Sequence, residues 1–189
     1  MIVLVGKTCS GKSTVADILE EKYGIRRVRT YTTRPPRTDG ECNEYHFVSD
    51  EEFERLKTEE FFFETTQYTV ASGDVWKYGT ARGEFTTNCC IVMNPDGMKK
   101  VHKLLDREQY DITVVYLNVT EGVQWNRLRQ RGSTSPDEAT RRIACDKEDF
   151  VDVDQYYDFS INTDDMAPHD IAALIQLVKI FKSATSRKE

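Results

Sequence analysis

The sequence predicts an α/β fold, a doubly wound parallel sheet of five strands with helices on both faces. Short apolar runs alternate along the chain with segments of helical periodicity, as they do in βαβ units. The run from Ile2 to Val5 is apolar throughout, which suits a strand buried on both faces of a sheet. At 189 residues the chain is long enough for one domain with a substantial core.

Each strand of this sheet is predicted from an apolar run, and a helix follows most of them. The predicted sheet strands are residues 2–5, 27–31, 89–93, 112–117 and 158–162. The predicted helices are residues 14–23, 50–57, 121–131, 137–152 and 168–182, and one more that carries Met98, Val101, Leu104 and Leu105. The spacing in the last helix places five apolar residues on its buried face: Ile171, Leu174, Ile175, Val178 and Phe181.

Residues 34–85 interrupt this alternation and predict a small, mainly β insertion. The prolines and the glycine between Pro35 and Gly40 exclude a regular element there. Ser49 and Glu52 form a capping box at the start of the helix in this segment. The strands predicted in the insertion are residues 44–48, 61–65, 67–70 and 76–80.

The most specific local pattern follows the first strand directly. Its spacing is G-x-x-x-x-G-K-[ST], and its residues are Gly6, Lys7, Thr8, Cys9, Ser10, Gly11, Lys12 and Ser13. Backbone N–H groups of such a loop, with the positive end of the next helix, hold phosphate oxygens. Lys12 adds a positive charge at the β and γ phosphates, and the Ser13 hydroxyl is placed for Mg²⁺. Strand, loop and helix together therefore predict a P-loop that binds nucleotide phosphate.

Charge, hydropathy and cysteine usage restrict the class of protein. The net charge of −6 argues against a general nucleic-acid binder. The arginines cluster in residues 26–37 and 127–142, which favours recognition of a small polyanion over the alternative of two solvated basic faces. No apolar run approaches the ~20 residues of a membrane span. With no leader pattern before residue 2 and no metal or disulfide spacing among five cysteines, we expect a cytoplasmic protein.

Further motifs follow the P-loop in a characteristic order. They are residues 30–37, Gly40-Glu41, Tyr45-His46-Phe47, Glu64, Tyr78-Gly79-Thr80, residues 127–132 and Arg141-Arg142-Ile143. The most specific are T-T-R-x-P-R-x-x-G-E, which begins at Thr32, and the later Tyr-Gly-Thr. In this order the motifs resemble the guanylate kinase family, nearly from end to end of the chain.

The resemblance implies transfer of a phosphoryl group from ATP to GMP, which gives ADP and GDP. It implies that the GMP phosphate is held by Arg34, Arg37, Tyr45 and Tyr78, and guanine by Thr30, Glu64 and Thr80. It implies an ATP site made of Gly6, Lys7, Thr8, Cys9, Ser10, Gly11, Lys12, Ser13, Thr14 and Asn162. Lys12, Mg²⁺ held at Ser13, and Arg131 and Arg142 from a closing lid would neutralise the transferring phosphoryl.

The same resemblance divides the chain into working parts within a single kinase domain over residues 1–189. The expected core comprises residues 1–33, 86–130 and 146–189. The expected GMP-binding insertion is residues 34–85, and the expected helical lid is residues 131–145. Closure of such a lid excludes water, which otherwise competes as phosphoryl acceptor.

Glu64 has a chemical rationale of its own. Guanine presents N1–H and N2–H₂ as adjacent donors, and one carboxylate can accept from both. Adenine presents an acceptor at N1, so the same carboxylate would meet a lone pair. A bidentate contact of this kind contributes ~1–3 kcal/mol of discrimination. The alternative is an exposed acid that follows an aromatic strand.

The chain departs from the family pattern at three places. Lys7 and Cys9 stand where the family P-loop has proline and glycine, and the segment between Glu41 and Tyr45 is shorter. The family carries acids at the end of the third sheet strand in a pattern like apolar-Asp-apolar-Asp. This chain has Met93-Asn94-Pro95-Asp96 there. Either Asp96 takes the place of a strand-end acid that contacts GMP or the metal's water shell, or that contact is lost.

Two other functions remain open at this stage. Arg34 and Arg37 would serve any phosphate, so the acceptor of a P-loop kinase could be another nucleotide or a phosphorylated sugar. A non-catalytic binding module of guanylate kinase type is the second alternative, although Lys12, Ser13 and the lid arginines argue against it. The expected partners are small nucleotides rather than nucleic acid or membrane, and the sequence allows a monomer or a homodimer.

Overall fold

The structure is a computed structural model that describes residues 1–36, 45–107, 109–132 and 134–185, with side chains to residue 182. Its strands are β1 (Ile2–Gly6), β2 (Arg26–Arg27), β3 (Thr30–Thr32), β4 (Tyr45–Phe47), β5 (Phe62–Thr69), β6 (Val75–Ala81), β7 (Cys89–Val92), β8 (Thr113–Asn118) and β9 (Phe159–Asn162). Its helices are α1 (Lys12–Tyr23), α2 (Asp50–Thr58), α3 (Pro95–Leu104), α4 (Glu121–Arg131), α5 (Pro136–Asp149) and α6 (Pro168–Thr185).

The predicted five-stranded parallel sheet is confirmed, with the strand order β2-β7-β1-β8-β9. β1 lies in the middle, where Leu4 pairs with Val92 on one side and with Val115 on the other. The chain leaves β1 toward one edge and returns later to build the other edge. Ligands of doubly wound sheets bind at such a switch point, beyond the carboxyl ends of the strands. The loop after β1 therefore lies where a ligand is expected.

Alternation along β1 produces two core layers, one on each face of the sheet. Ile2 and Leu4 pack into the layer that holds α1 and α6. Val3 and Val5 pack into the opposite layer, which includes Met98 of α3. Both faces of the sheet are therefore covered, as the continuous apolar pattern of its strands requires.

The insertion and the strand just before it, β3, form a second sheet of mixed direction, called the insertion sheet, with the strand order β4-β3-β6-β5. The strand predicted over residues 27–31 is in fact two strands, β2 in the parallel sheet and β3 in the insertion sheet. The sequence run is continuous, but the chain passes from one sheet to the other after Val28. The strands predicted over residues 61–65 and 67–70 are one strand, β5, whose residues Glu64, Thr66 and Tyr68 line a cavity.

Several helix ends follow from local chemistry. The Ser49 hydroxyl accepts a hydrogen bond from the Glu52 amide at 3.2 Å, as the capping box predicts. Gly24 ends α1 in the left-handed conformation, with φ of 64°. The third sheet strand, β7, ends at Val92, and α3 begins at Pro95 with Asn94 as its N-cap. A proline in the first turn is compatible with a helix because its missing N–H would have no partner there.

The predicted buried face of α6 is only partly correct. Ile171 and Ile175 are buried against the sheet, but Leu174 is 39% exposed and Phe181 is 68% exposed. Their neighbour Ala172 is buried instead, because α6 rests on α1 along a narrower stripe than the apolar pattern suggests. Over the described ranges, no helix is long and apolar enough to cross a membrane.

Candidate active site

The loop after β1 is shaped by close contacts and by two left-handed residues. A Cβ atom on Gly6 would lie 2.5 Å from the Leu117 carbonyl oxygen and 2.6 Å from the Ser10 hydroxyl, so only glycine fits. Gly11 has φ of 91° and Cys9 has φ of 60°. The loop therefore keeps its tight path with a cysteine in a conformation that glycine adopts more readily. Its backbone leads directly into the N-terminus of α1, which favours bound anions.

Lys12 folds back over this loop. Its ammonium group donates to the carbonyls of Gly6 at 2.6 Å and Lys7 at 2.8 Å. Burial lowers the pKa of Lys12 to about 8, although the nearby Asp146 carboxylate opposes that change. The ammonium group is thus kept at the phosphate-binding loop by acceptors that a bound phosphate can replace.

A carboxylate from α5 and an amide from α4 hold the same loop. The Thr8 amide donates to Asp146 Oδ2 at 2.8 Å, and Gln124 Nε2 donates to that oxygen at 2.7 Å. Gln124 Nε2 also donates to the Thr8 carbonyl at 3.0 Å. Asp146 and Gln124 are both buried. The loop conformation therefore depends on two helices distant in sequence as well as on its glycines.

A central cavity of about 300 Å³ lies beside the P-loop and is walled by three parts of the chain. The parallel-sheet core contributes Gly6, Thr8, Lys12, Val92, Met93, Asn94, Pro95 and Phe150. The insertion, with the adjoining strand β3, contributes Thr30, Tyr45, Glu64, Thr66, Tyr68, Val70, Trp76 and Tyr78. Helix α5 contributes Glu138, Arg141, Arg142, Cys145, Asp146 and Asp149. A cavity of this kind can hold a small anionic ligand with its phosphate toward Lys12.

Glu64 supplies a half-buried carboxylate to this cavity. Thr80 is fully buried and donates its hydroxyl to Glu64 Oε1 at 2.9 Å, which fixes the carboxylate on the wall. Burial raises the pKa of Glu64, and the Thr80 hydrogen bond opposes that change. The pairing follows from register, because Glu64 and Thr80 are directly opposite on β5 and β6. The carboxylate can accept two adjacent N–H donors of a bound base.

Aromatic rings line the insertion side. The rings of Tyr45 and Tyr78 have centroids 6.2 Å apart, and those of Tyr68 and Tyr78 are 5.9 Å apart. The Arg34 guanidinium lies 5.2 Å from the Tyr45 ring centre, and the Arg34 side chain is buried. The Arg34 cation is therefore held next to a tyrosine that borders the cavity.

A second cavity, of about 430 Å³, lies on the other side of the P-loop and is called the α6 cavity here. Its walls are Cys9, Ser10, Gly11, Thr14, Val15, Arg127, Gln130, Arg131, Thr163, Met166, Pro168 and Ile171. Arg127 spans it by donating to the carbonyl of Cys9 at 3.0 Å and that of Thr163 at 2.5 Å. Residues of the P-loop line both cavities, so a phosphate chain held on the loop would border each of them.

The family model that matches this chain is the one described as guanylate kinase, over residues 1–179. The chain belongs to the guanylate kinase family. It is 32% identical to a guanylate kinase of Symbiobacterium thermophilum, covering 99% of this chain and 88% of that protein. It is 29% identical to a guanylate kinase of Cutibacterium acnes, covering 94% of this chain and 89% of that protein.

A solved structure agrees with this fold. The crystal structure of guanylate kinase from Anaplasma phagocytophilum superposes with a TM-score of 0.63. The two chains are 21% identical, and the match covers 96% of this chain and 85% of the other. The guanylate kinase fold predicted from the motif order is therefore confirmed.

The structure groups most residues that the guanylate kinase resemblance implies, but not all. Arg131 lines the α6 cavity whereas Arg142 lines the central cavity, so the two arginines expected from the lid line different cavities. Asp96 is exposed in the first turn of α3 and does not line either cavity. Asn162 is also outside both linings, and its Oδ1 accepts from the Asp164 amide at 2.8 Å. Arg37 lies outside the described residues.

Sequence reasoning about the guanylate kinase motifs missed several residues of the site. Asn94 stands at the end of β7, donates to the Tyr68 hydroxyl at 2.6 Å and caps α3 through the Gly97 amide at 2.8 Å. Asp146 and Glu138 belong to α5, in which the sequence motifs mark only the arginines. A polar residue at a strand end was the available signal for Asn94. No local pattern signals that Asp146 would reach the P-loop, because they are 138 positions apart.

Proposed function

We propose that this chain is an enzyme that transfers the γ-phosphoryl group of ATP to GMP or dGMP. Family membership supports the reaction class, since the chain is similar to curated guanylate kinases over nearly its full length. The single observation that carries the acceptor assignment is the shared cavity, which has Lys12 at one end and the Glu64–Thr80 pair on its wall. This arrangement suits a guanine nucleotide whose phosphate points at the P-loop.

The proposed donor site combines the P-loop with the α6 cavity. The phosphates of ATP would lie on the loop N–H groups and the start of α1, and its nucleoside would enter the α6 cavity. Lys12 would exchange the Gly6 and Lys7 carbonyls for phosphate oxygens. Arg131 borders this cavity and would add positive charge on the donor side.

The donor set at the P-loop fits a magnesium ion carried in by ATP. Mg²⁺ prefers oxygen ligands and keeps several waters, so it needs few protein ligands when phosphates are present. Ser13 lies in the first turn of α1 and can supply its hydroxyl oxygen, with Asp146 nearby at the loop. When bound, the ion would neutralise charge on the phosphate oxygens.

The proposed acceptor site uses the insertion. The Glu64 carboxylate would accept from N1–H and N2–H₂ of guanine, while Thr30 would border the base. The acceptor phosphate would be held by Tyr45 and Tyr78, with the Arg34 cation beside Tyr45. Arg37 and Asp96 stay as predicted contacts to GMP. We also retain the division into core, GMP-binding insertion (residues 34–85) and lid (residues 131–145). The second sheet begins before the insertion, at Thr30, and α5 continues beyond the lid to Asp149.

An acceptor-panel assay tests this function. ADP release from Mg²⁺–ATP is measured with GMP, dGMP, AMP, UMP and CMP as acceptors. We expect turnover with GMP and dGMP to exceed that with the other three, and Lys12→Ala to abolish it. Equal turnover on all five would refute the guanine assignment and favour another acceptor. ATP binding that calorimetry cannot detect would favour a non-catalytic binding module.

A further inference from the structure

Glu138 of α5 joins the lid helix to the insertion. Its Oε2 accepts from the Ala71 amide at 3.0 Å, at the turn between β5 and β6. It also accepts from Arg141 Nε at 2.8 Å and Nη2 at 2.9 Å, and from Arg142 Nε at 2.7 Å. A carboxylate has about four acceptor positions, so Glu138 is fully used. This contact connects two segments that are 67 positions apart in the chain.

The Glu138 carboxylate accepts hydrogen bonds from Arg141 and Arg142 in different ways. Arg141 is held through Nε and Nη2, and its Nη1 lies 3.5 Å from Cys145 Sγ. Arg142 is held through Nε alone. Within the part of the chain that the structure describes, the two terminal amino groups of Arg142 make no hydrogen bond, and the residue lines the central cavity. Arg142 therefore has donors left for a ligand, arranged as the fork that suits phosphate.

The cluster is buried enough for these contacts to fix its geometry. The side chains of Glu138 and Arg142 are 11% and 17% exposed. Burial alone would raise the pKa of Glu138, but hydrogen bonds from Arg141, Arg142 and Ala71 outweigh it and lower the pKa to about 2. The carboxylate is therefore charged at neutral pH, and one positive charge of the three groups remains for an anion.

We propose that Glu138 is a positioning residue that orients the Arg142 guanidinium toward the transferring phosphoryl and couples it to the insertion hairpin at Ala71. The catalytic part rests on the proposed function. Because the hairpin also carries Tyr68 and Trp76 of the cavity wall, a ligand that moves the hairpin also moves the anchor of Arg142. Acceptor binding and the orientation of a lid arginine are thereby linked through one carboxylate.

A double-mutant cycle tests the catalytic part. The variants are Glu138→Gln, Arg142→Ala and the double variant, with Glu148→Gln as the control at an exposed position of α5. We expect Glu138→Gln to lower kcat roughly ten- to hundredfold in the wild-type background, because a misplaced donor loses its alignment. In the Arg142→Ala background the same change should alter kcat by no more than about twofold. The control should retain wild-type kcat.

Amide hydrogen exchange tests the link to the hairpin without relying on activity. Glu138→Ala should speed exchange at the Ala71 amide, whereas Arg142→Ala should leave that amide protected. Circular dichroism verifies that each variant is folded. Equal kcat losses for Glu138→Gln in both backgrounds, or an unchanged Ala71 exchange rate in Glu138→Ala, would overturn the proposal. A wild-type protein without GMP turnover overturns the proposed function and the catalytic part together, while the exchange result still decides the link.

Discussion

Lys12 and Glu64 are ionisable side chains at a partly desolvated cavity, and burial shifts the pKa of each toward its neutral form. The pKa of Lys12 is lowered to about 8, and the pKa of Glu64 is raised. Perturbed pKa values of this kind concentrate at functional sites. Each side chain makes a hydrogen bond near the cavity. Lys12 donates to the Gly6 carbonyl, and Glu64 accepts from the Thr80 hydroxyl.

Lys12 should make ATP binding depend on pH. Below pH 8 the free protein carries the ammonium form, which attracts phosphate, and above pH 8 this form is lost. We therefore expect ATP affinity to fall as pH rises, by roughly tenfold between pH 7 and pH 9. Calorimetric titration at the two pH values measures the change.

An arginine at this position keeps its charge over the same range, so Lys12→Arg provides the control. Its ATP affinity, whatever its absolute value, should change little between pH 7 and pH 9. An equal decrease in both proteins would show that another group controls the pH dependence.

Glu64 should determine base selectivity. Glu64→Gln replaces one acceptor oxygen by an amide donor that opposes the guanine N–H groups. We expect kcat/KM for GMP to fall by an amount equivalent to ~1–3 kcal/mol, with ATP affinity unchanged. Steady-state kinetics and calorimetry measure the two quantities, and Glu148→Gln serves as a charge-matched control. Loss of ATP binding in the Glu64 variant would point to misfolding instead.

At the scale of elements, the structure of the unit of β1, P-loop and α1 follows most directly from its local sequence. An apolar strand, two glycines and a helix start follow each other within 12 residues, and each has a local physical reason. The structure of the insertion follows less directly from its local sequence. Its helix cap at Ser49 follows from a local hydrogen bond, but the pairing of β3 with β6 is decided by residues far away.

Gly6 should tolerate no side chain. Gly6→Ala would place a Cβ atom against the Leu117 carbonyl of β8, and a backbone atom cannot move away cheaply. We expect a loss of about 1–3 kcal/mol in the free energy of unfolding, measured by urea denaturation. Gly83→Ala is the matched control, since a Cβ atom there meets nothing within 4 Å. Similar losses in both variants would contradict the close-approach argument.

At the scale of the molecule, the core, the insertion and α5 each supply one wall of the central cavity. Helix α5 contacts the P-loop through Asp146 and the insertion through Glu138. These two carboxylates lie on one helix, so a movement of the P-loop or of the insertion also displaces α5. The cavity is therefore a property of the assembled fold rather than of any single segment.

This arrangement predicts positive coupling between the two nucleotides. ADP and GMP together should raise the melting temperature by more than the sum of the shifts that each produces alone. Each ligand orders walls that the other also uses, so the second binds to a site already ordered. Thermal unfolding with saturating ADP, GMP or both measures the shifts. Additive shifts would indicate that the two sites are independent.

The local motifs were readable because their chemistry is local. The P-loop, the strand alternation and the Tyr-Gly-Thr segment lie on contiguous residues, and they led to the fold and to Glu64 as a cavity residue. The sequence motifs do not identify Asn94 and Glu138 as site residues, because their partners Tyr68 and Ala71 are distant in sequence. The predicted buried face of α6 is too wide, because apolar periodicity does not indicate how wide the opposing surface is.

The sequence by itself determined the parallel sheet, the phosphate loop and the family of this protein, since these depend on periodicity, glycine positions and motif order. Tertiary structure alone decided which carboxylates meet the site. Asp146 reaches Thr8 and Glu138 reaches Ala71 because α5 packs on α4 beside the P-loop. Contacts between residues so far apart leave no local pattern, so only the folded chain shows that one helix holds both the P-loop and the insertion.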